Sequence, residues 1–567
     1  MTLLQWFIFF LAVQVIHFLG TWKLYQKAGR KPWEAAVPVY NAVVLMKIIR
    51  RSPWWTILLF VPIVNLIMFP VVWVETLRSF GKNTTTDTVL GVVTLGFYIY
   101  YINYTQELNY LPERDLKPKS KSGDTVSSLL FAVVVATIVH TYVIQPFTIP
   151  TASLEKTLLI GDFLFVSKIH YGARTPITTI GAPMVHDSIP VVNVKSYSNW
   201  PQLPYFRLPG FEKVKKNDIV VFNWPTDTLV DWTNPNSGLV KKPIDKKMNY
   251  VKRCVGIAGD KIEVKNGIVF VNGQELKLSD RARVQYNYTV TKNGEVSAAE
   301  LEKLGITDLT KSYTLAPGFT NDQLQAIRYY VKGYKQLNDG SLYIITDLNG
   351  IPLNLLTEQQ IKLTEGGGNS FVANLTFEKA DKLKKMAGIA SVERVISEPG
   401  NGGNVFPGNQ PNWSQDNMGP ISIPKEGETV QLTKENLPFY KLIIGDYERN
   451  DLKVAGNDII INGKTATSYT FKQNYYWMMG DNRHNSLDSR YFGFVPEDHI
   501  VGKPVLIWMS IDQNEKWSNI SKKIRWDRMF TTVGGDGEPV SYFKYFVGLL
   551  IAYFVFDYFR KKKAVKA

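Results

Sequence analysis

Cysteine is all but missing from this sequence: Cys254 is the only one in 567 residues. A lone thiol excludes an internal disulfide, and no Cys-rich zinc cluster can be built around it. Histidine is sparse as well. The six are scattered and none falls in an H-E-x-x-H pattern, so the chain offers no ready set of metal ligands. Neither a metal nor another cofactor is expected. Homeodomain, zinc-finger and RRM patterns are absent too, and the formal net charge of +15 is therefore not read as a nucleic-acid footprint. No internal repeat is evident.

What the chain does have is long apolar runs with basic residues beside them. Five read as spanning helices: residues 3–19, 54–74, 88–104, 126–144 and 542–558. Each is near the ~17–25 apolar residues that cross a hydrocarbon core. The third is the weakest, because it holds Gly91, Gly96 and several tyrosines. The first lacks a basic start and a small-x-small site behind it, so it reads as a permanent anchor rather than a cleaved leader. Lys23, Lys27, Arg30, Lys31, Lys47, Arg50 and Arg51 follow the first run. Arg114, Lys117, Lys119 and Lys121 precede the fourth, and the tail reads "RKKKAVK". If every run crosses, these basic groups share one side. The positive-inside bias then puts the N-terminus and residues 145 to about 540 outside the cytoplasm. Arg78 and Lys82 dissent. The stretch "PWEAAVPVYNAVVLMKII" (32–49) is expected to lie along the interface as an amphipathic element.

Between the fourth and fifth runs the pattern changes. "NDIVVFNWP", "DKIEVKNGIVFVNG" and "NDIIINGKTATSYTF" are short strand-like runs separated by Asn-Gly and Gly-Asp turns, the signature of antiparallel hairpins. In the middle, "SAAELEKLG" and "TFEKADKLKKMAG" carry helical periodicity and end in glycine. That region reads as an α+β insertion in a mainly antiparallel β domain, with a Gly/Asn/Pro-rich loop at 399–424 behind it.

Three stretches in this outer part bear chemistry. "QPFTIPTASLEKTLLIGD" follows the fourth apolar run directly, and Ser153 is its one nucleophile. Ser and Thr there also suit an ordinary turn. In "NYVKRCVGIAGDKI" strand alternation puts Tyr250, Lys252 and Cys254 on one face and Arg253 on the other. If the first face is buried, Lys252 is desolvated, and a lowered pKa makes an amine a usable base. A lysine snorkelling from an edge strand is the competing reading. "MMGDNRHNSLDSRYFGFVP" packs small polar residues beside an apolar run, with Asp488 and Arg490 at same-face spacing, and reads as the wall of a site.

In this order after a membrane anchor, the three stretches resemble bacterial type I signal peptidase, a Ser/Lys protease family. Its nucleophile motif, P-S-x-S-M-x-P-T-L-x-x-G-D, is matched at Pro150, Ser153, Thr157, Leu158, Gly161 and Asp162. Its lysine motif, K-R-x-x-G-x-P-G-D, is matched at Lys252, Arg253, Gly256, Gly259 and Asp260. The third motif, G-D-N-x-x-x-S-x-D-S-R-x-x-G, is matched at every fixed position, and "NDIVVFNWP" is similar to the family's G-D-I-V-V-F strand. Thr151, Leu154, Lys156 and Ala258 depart from the usual Ser, Met, Pro and Pro.

The resemblance implies Ser153 as nucleophile and Lys252 as general base. It implies Thr151 with the Ser153 N–H at the oxyanion, and Ser486 orienting the lysine. Gly480, Asp481, Asn482, Asp488 and Arg490 would form the site wall. Phe147, Ile149, Leu154, Leu158 and Val251 would line pockets for small substrate residues. The implied activity is removal of signal peptides from exported preproteins at the outer face of the cytoplasmic membrane. Phospholipid and the secretion translocon are the further partners it suggests.

The chain then divides into an N-terminal membrane segment (1–105), a basic cytoplasmic linker (106–125) and an anchor (126–144). A catalytic β domain in two parts (145–275 and 451–515) surrounds the inserted region (276–450). A linker (516–541), a C-terminal span (542–559) and a basic tail (560–567) follow. Two other readings compete: an inactive paralogue that binds signal peptides or membrane proteins, and a scaffold whose N-terminal spans are the working part. His170 and His484 near the motifs leave a histidine base conceivable, His140 reads as packing within a span, and Cys254 as a small buried hydrophobe.

Overall fold

In the computed structural model the described residues are 1–567 apart from 118–120, 230–237, 295, 297–299, 302–305, 307–308, 338, 348–349, 367–369, 400–404 and 567. Helix Leu3–Lys27 starts at a capping box, in which Thr2 and Gln5 satisfy each other's backbone donors. Helix Lys121–Ile138 continues through a π-turn, Val139–Val143. Among the described residues these are the two helices long and apolar enough to cross a membrane.

The expectation of about five spans is corrected to these two. The run at 54–74 breaks into Trp55–Leu58 and Val64–Ser79, because Ile63 holds φ 70 between them. The run at 88–104 breaks into Thr85–Val93 and Tyr98–Thr105 around Leu95 (φ 51) and Gly96 (φ 86). A left-handed residue interrupts a right-handed helix, and the pieces fall short of the ~20 residues a crossing needs. Both runs also return to where they begin. Glu75 pairs with Arg51 (2.9 Å), Arg78 (3.7 Å) and Arg114. Arg114 also donates to Ser79 Oγ at 3.1 Å. Arg78 therefore joins the other basic groups instead of opposing them. At the C-terminus helix Phe543–Lys566 forms, but the uncharged run between Lys544 and Asp557 is too short to span. The stretch 32–49 folds as Pro32–Ala35 and Tyr40–Ile48, with Ala35, Val44 and Met46 buried against Leu24, Tyr25 and Ile102 while Trp33, Val39 and Tyr40 stay exposed.

The anchor runs straight into the central sheet. Its strands are β1 (Ile144–Thr148), β2 (Asp162–Ser167), β3 (Ile219–Asn223), β4 (Asn249–Gly256), β5 (Tyr475–Met479), β6 (Val495–Pro496) and β7 (Ile500–Ser510). They lie in the order β1-β2-β7-β3-β4-β5-β6, with the short strand Thr531–Thr532 also on β7, every pairing antiparallel. Every residue of β3 is buried, which explains its unbroken apolar run: Ile219 and Val221 face one core, Val220 and Phe222 the other. The Asn-Gly signals mark hairpins as expected. Asn266 and Gly267 (φ 49 and 78) join Lys261–Lys265 to Ile268–Val271. Asn462 and Gly463 (φ 52 and 78) do the same between Asp458–Ile461 and Lys464–Thr465.

A second sheet runs Val331–Gln336, Leu342–Asp347, Leu309–Leu315, Ser370–Thr376, Gln285–Lys292, Ile389–Arg394, with Leu363–Gly366 also on Leu309–Leu315. Helix Phe377–Lys384 is capped by Thr376 and ends before Gly388 (φ 83). Most of the other expected helix, "SAAELEKLG", and part of the 399–424 loop lie outside the described residues; Glu300 and Leu301 within it are helical.

Candidate active site

Ser153 sits in a single 3-10 turn, Ala152–Leu154, between β1 and β2. The loop is closed at its base by Ile149 N to Asp162 O and Gly161 N to Ile149 O, both 2.9 Å. Leu154 and Leu158 are driven into the core, which pins the turn from below. Gly161 (φ 87) has no alternative: a Cβ there would lie 2.0 Å from Ile511 O. The fully buried Asp162 accepts from Leu159 N (2.8 Å) and Ser510 Oγ (2.6 Å) and pairs with Arg528 at 2.5 Å. Lys156 holds φ 67, a conformation closed to proline, whose ring fixes φ near −65°. The departure from the family's proline thus goes with a different backbone at that position.

Lys252 and Arg253 point to opposite faces of β4, yet each is only 3% exposed. Arg253 is paired bidentately with Asp481, at 2.8 and 2.6 Å. Lys252 has no such partner. Its Nζ lies 2.5 Å from Ser153 Oγ and 5.7 Å from the centre of the Tyr250 ring. Burial lowers its pKa to about 8, against the opposing pull of Asp488 and with help from the charge on Arg490. At pH 7 about one molecule in ten then carries the free amine, against roughly one in 2,500 for an ordinary lysine.

The loop that follows β5 forms the rest of the wall. A Cβ on Gly480 would lie 2.3 Å from Ser486 Oγ and 2.5 Å from Ser153 O, so only glycine lets these segments meet. Asn482 holds the nucleophile turn, its N–H donating to Ser153 O (3.0 Å) and its Nδ2 to Ala152 O (3.2 Å). Thr157 Oγ1 donates to Asp481 at 2.7 Å. Asp488 takes two bonds from the Arg490 guanidinium, both 2.9 Å, one from Arg490 N at 3.2 Å and one from Gly480 N at 3.1 Å. Burial opposes the charge on Asp481 and Asp488, but Arg253 and Arg490 outweigh it and hold both carboxyls below their usual range. Ser486 Oγ is buried without a hydrogen-bond partner and is not bonded to Lys252. Thr151 is exposed at the mouth of the turn, and its side chain makes no capping bond.

Phe147, Ile149, Leu154, Leu158 and Val251 converge in one apolar cluster with Leu164, Ile219 and Val221. The two histidines stand apart from the serine. His170 Nδ1 is 2.6 Å from Ser167 Oγ. His484 Nδ1 accepts from Asn287 N at 2.9 Å, which leaves Nε2–H to donate to Asp416 at 3.0 Å.

Three contributors went unread in the sequence because no motif surrounds them. Gln285 is fully buried and forms a parallel bridge to Asn482, through Gln285 N to Asp481 O (2.8 Å) and Arg483 N to Gln285 O (2.9 Å). Its Nε2 also donates to Glu155 O. Arg283 N donates to Thr157 Oγ1 at 3.0 Å, and Asn374 Nδ2 to Asn482 Oδ1 at 2.9 Å. All three come from the middle of the chain, whose second sheet is thereby fastened to the wall loop.

A profile described as "Signal peptidase, peptidase S26" matches residues 122–342 and 428–509, a little over half of the chain. Residues 33–113 match a family of unknown function. The chain is similar to signal peptidase I of Buchnera aphidicola subsp. Baizongia pistaciae, 25% identical over 391 residues, which cover 69% of this chain and 78% of the relative. It is similar to signal peptidase I of Haemophilus influenzae at 22% over 428 residues, 74% and 78% of the two chains. With signal peptidase I of Rickettsia typhi the figures are 24% over 238 residues, 41% and 73%.

Proposed function

The chain belongs to the signal peptidase family, peptidase S26, and on that premise we propose that it is a membrane-bound serine endopeptidase that removes signal peptides from exported preproteins, with Ser153 as nucleophile and Lys252 as general base. The observation that carries the assignment is the 2.5 Å approach of a buried, carboxylate-free amine to the Ser153 hydroxyl.

Neutral Lys252 takes the Ser153 hydroxyl proton as Oγ adds to the carbonyl carbon before the scissile bond. The Ser153 N–H and the exposed Thr151 hydroxyl meet the oxyanion. The intermediate collapses, the C–N bond breaks, and the leaving amine takes the proton from the Lys252 ammonium. A water then loses a proton to Lys252, adds to the acyl ester and releases the signal peptide, and the proton returns to Ser153 Oγ. Ser486, with its unpartnered hydroxyl against the same Gly480 as the Ser153 carbonyl, receives the ammonium while the proton is held. The Asp488–Arg490 and Asp481–Arg253 pairs keep the wall rigid. The apolar cluster from Phe147 to Val251 forms the pockets for small side chains.

The site belongs at the outer face of the cytoplasmic membrane. Helix Lys121–Ile138 passes through Val139–Val143 into β1 without a linker, which keeps Ser153 close to the bilayer surface where a signal peptide ends. Incubating detergent-solubilised protein with a preprotein, and weighing the products, tests the reading. Ser153→Ala and Lys252→Ala should each lose at least about a thousandfold in cleavage while remaining folded. Activity within about tenfold of wild type in either variant refutes the dyad.

A further inference from the structure

Strand β4 contributes to two apolar clusters, and the substrate pockets account for only one of them. Val251 packs with Phe147, Ile149 and Leu154. Tyr250 belongs to the other cluster, with Phe222, Trp224 and Phe492. The Trp224 ring lies 4.4 Å from that of Tyr250 and 4.8 Å from that of Phe492. Tyr250 is in turn the ring 5.7 Å from the Lys252 amine.

Trp224 and Phe492 also line a groove of about 1090 Å³. Its other walls come from the helix Leu437–Leu442, the strand Leu452–Ala455 and the loop at 405–409. That loop is bonded to the catalytic wall, since Phe406 N donates to Arg490 O at 2.8 Å. Gly493 (φ 82), the last fixed position of the third motif, makes room for it. A Cβ there would lie 2.5 Å from the Phe406 ring. Leu487 lines the groove too, 47% exposed between the buried Ser486 and Asp488. One loop thus serves both the catalytic wall and the groove.

The lining is apolar with a basic rim. Val454 is 52% exposed, and Leu442 and Leu452 are partly buried. Of the described residues on the lining, only Lys434 and Lys441 are charged, and both are exposed. Lys434 donates to Asn457 Oδ1 at 2.7 Å, and neither ammonium meets a carboxylate among the described residues. Such a surface favours apolar and acidic side chains and repels basic ones. Its volume exceeds the ~300–1,000 Å³ of a typical small-molecule pocket, which suits a peptide segment.

We propose that the groove receives the first residues of the mature chain, those that follow the scissile bond, and selects apolar and acidic side chains there. The residues before the bond are accounted for by the cluster of Phe147 and Val251. The chain beyond it leaves past Lys252, which protonates its new amine, toward the Tyr250 side. Trp224 and Leu487 meet it there. This inference rests on the protease reading.

The first test needs no turnover. Full-length Ser153→Ala protein is mixed with a preprotein carrying a photoreactive phenylalanine a few residues after the scissile bond. Cross-linked peptides are then identified by mass spectrometry. Links to 437–454 or 405–409 are expected, and links confined to other parts of the chain overturn the groove. The second test is kinetic and uses two preproteins that differ only in Asp or Lys within that segment. Wild type should cut the acidic one with roughly fivefold higher kcat/KM, and the double variant Lys434→Glu, Lys441→Glu should prefer the basic one. An unchanged ratio in the variant overturns the selection. Cleavage at the expected bond with links elsewhere removes this proposal alone. A wild-type chain that cuts neither preprotein strikes the protease reading, and the groove with it.

Discussion

A lysine buried beside a serine is useful only when it is uncharged, and burial makes the charged form expensive. Both consequences can be measured at Lys252. Its folded pKa, about 8, is below the ~10.4 of an unfolded chain. The first consequence is kinetic: kcat/KM should rise with pH along a limb centred near 8, where a histidine base would give one near 6–7. The second is thermodynamic. Between those two pH values the unfolded chain holds the proton and the folded one does not, so stability rises with pH across about 8 to 10.4. At neutral pH the buried charge costs on the order of 3 kcal/mol. Lys252→Met should therefore be inactive yet melt no lower than wild type at pH 7, with any advantage shrinking by pH 10. A melting temperature well below wild type at pH 7 would mean that Lys252 is a paired structural cation.

At the scale of elements, what could be read beforehand was local and what could not was long-range. The alternation of Tyr250, Lys252 and Cys254 along β4, the apolar run of β3 and the Asn-Gly hairpins each depend on a few neighbouring residues, and all are found. The burial of Arg253 was invisible because its partner, Asp481, is 228 residues away. The bridge from Gln285 to Asn482 was invisible for the same reason. That bridge has a testable consequence. Gln285 is a positioning residue: it touches the backbone of the nucleophile turn at Glu155 and of the wall loop at Asp481 and Arg483. Gln285→Ala loses the side-chain bond and loosens the turn while leaving Lys252 desolvated. kcat should fall roughly ten- to hundredfold, as expected for a sub-ångström misplacement, with KM and the pH limb unmoved. A shifted pH limb would show that the change reached Lys252 itself, and unchanged kcat that the second sheet is a passenger.

At the scale of the whole molecule, charge asymmetry and backbone geometry combine to give a topology that neither supplies alone. Counting apolar runs suggested four crossings before the catalytic domain, and the two that fold back reduce this to two. Both counts are even, so the N-terminus and catalytic domain share a side in either case. The short loop between the folded-back runs is where the two differ. With four crossings, Asn83 is on the outside with the active site. With two, the Glu75 cluster of Arg51, Arg78 and Arg114 draws Asn83 to the same side as residues 28–51. The positive φ at Ile63 and Leu95, which breaks both runs into shorter helices, favours the second arrangement. Cysteines introduced singly at Asn83, Ser122 and Asn457 decide the matter on intact cells with an impermeant thiol reagent. Asn457→Cys should be labelled, and Asn83→Cys and Ser122→Cys should react only after the cells are opened. Labelling of Asn83→Cys alongside Asn457→Cys would restore the full crossings and leave Arg78 on the unfavoured side of the bilayer. Labelling of Ser122→Cys on intact cells would invert the orientation and strand Ser153 in the cytoplasm, away from any exported substrate.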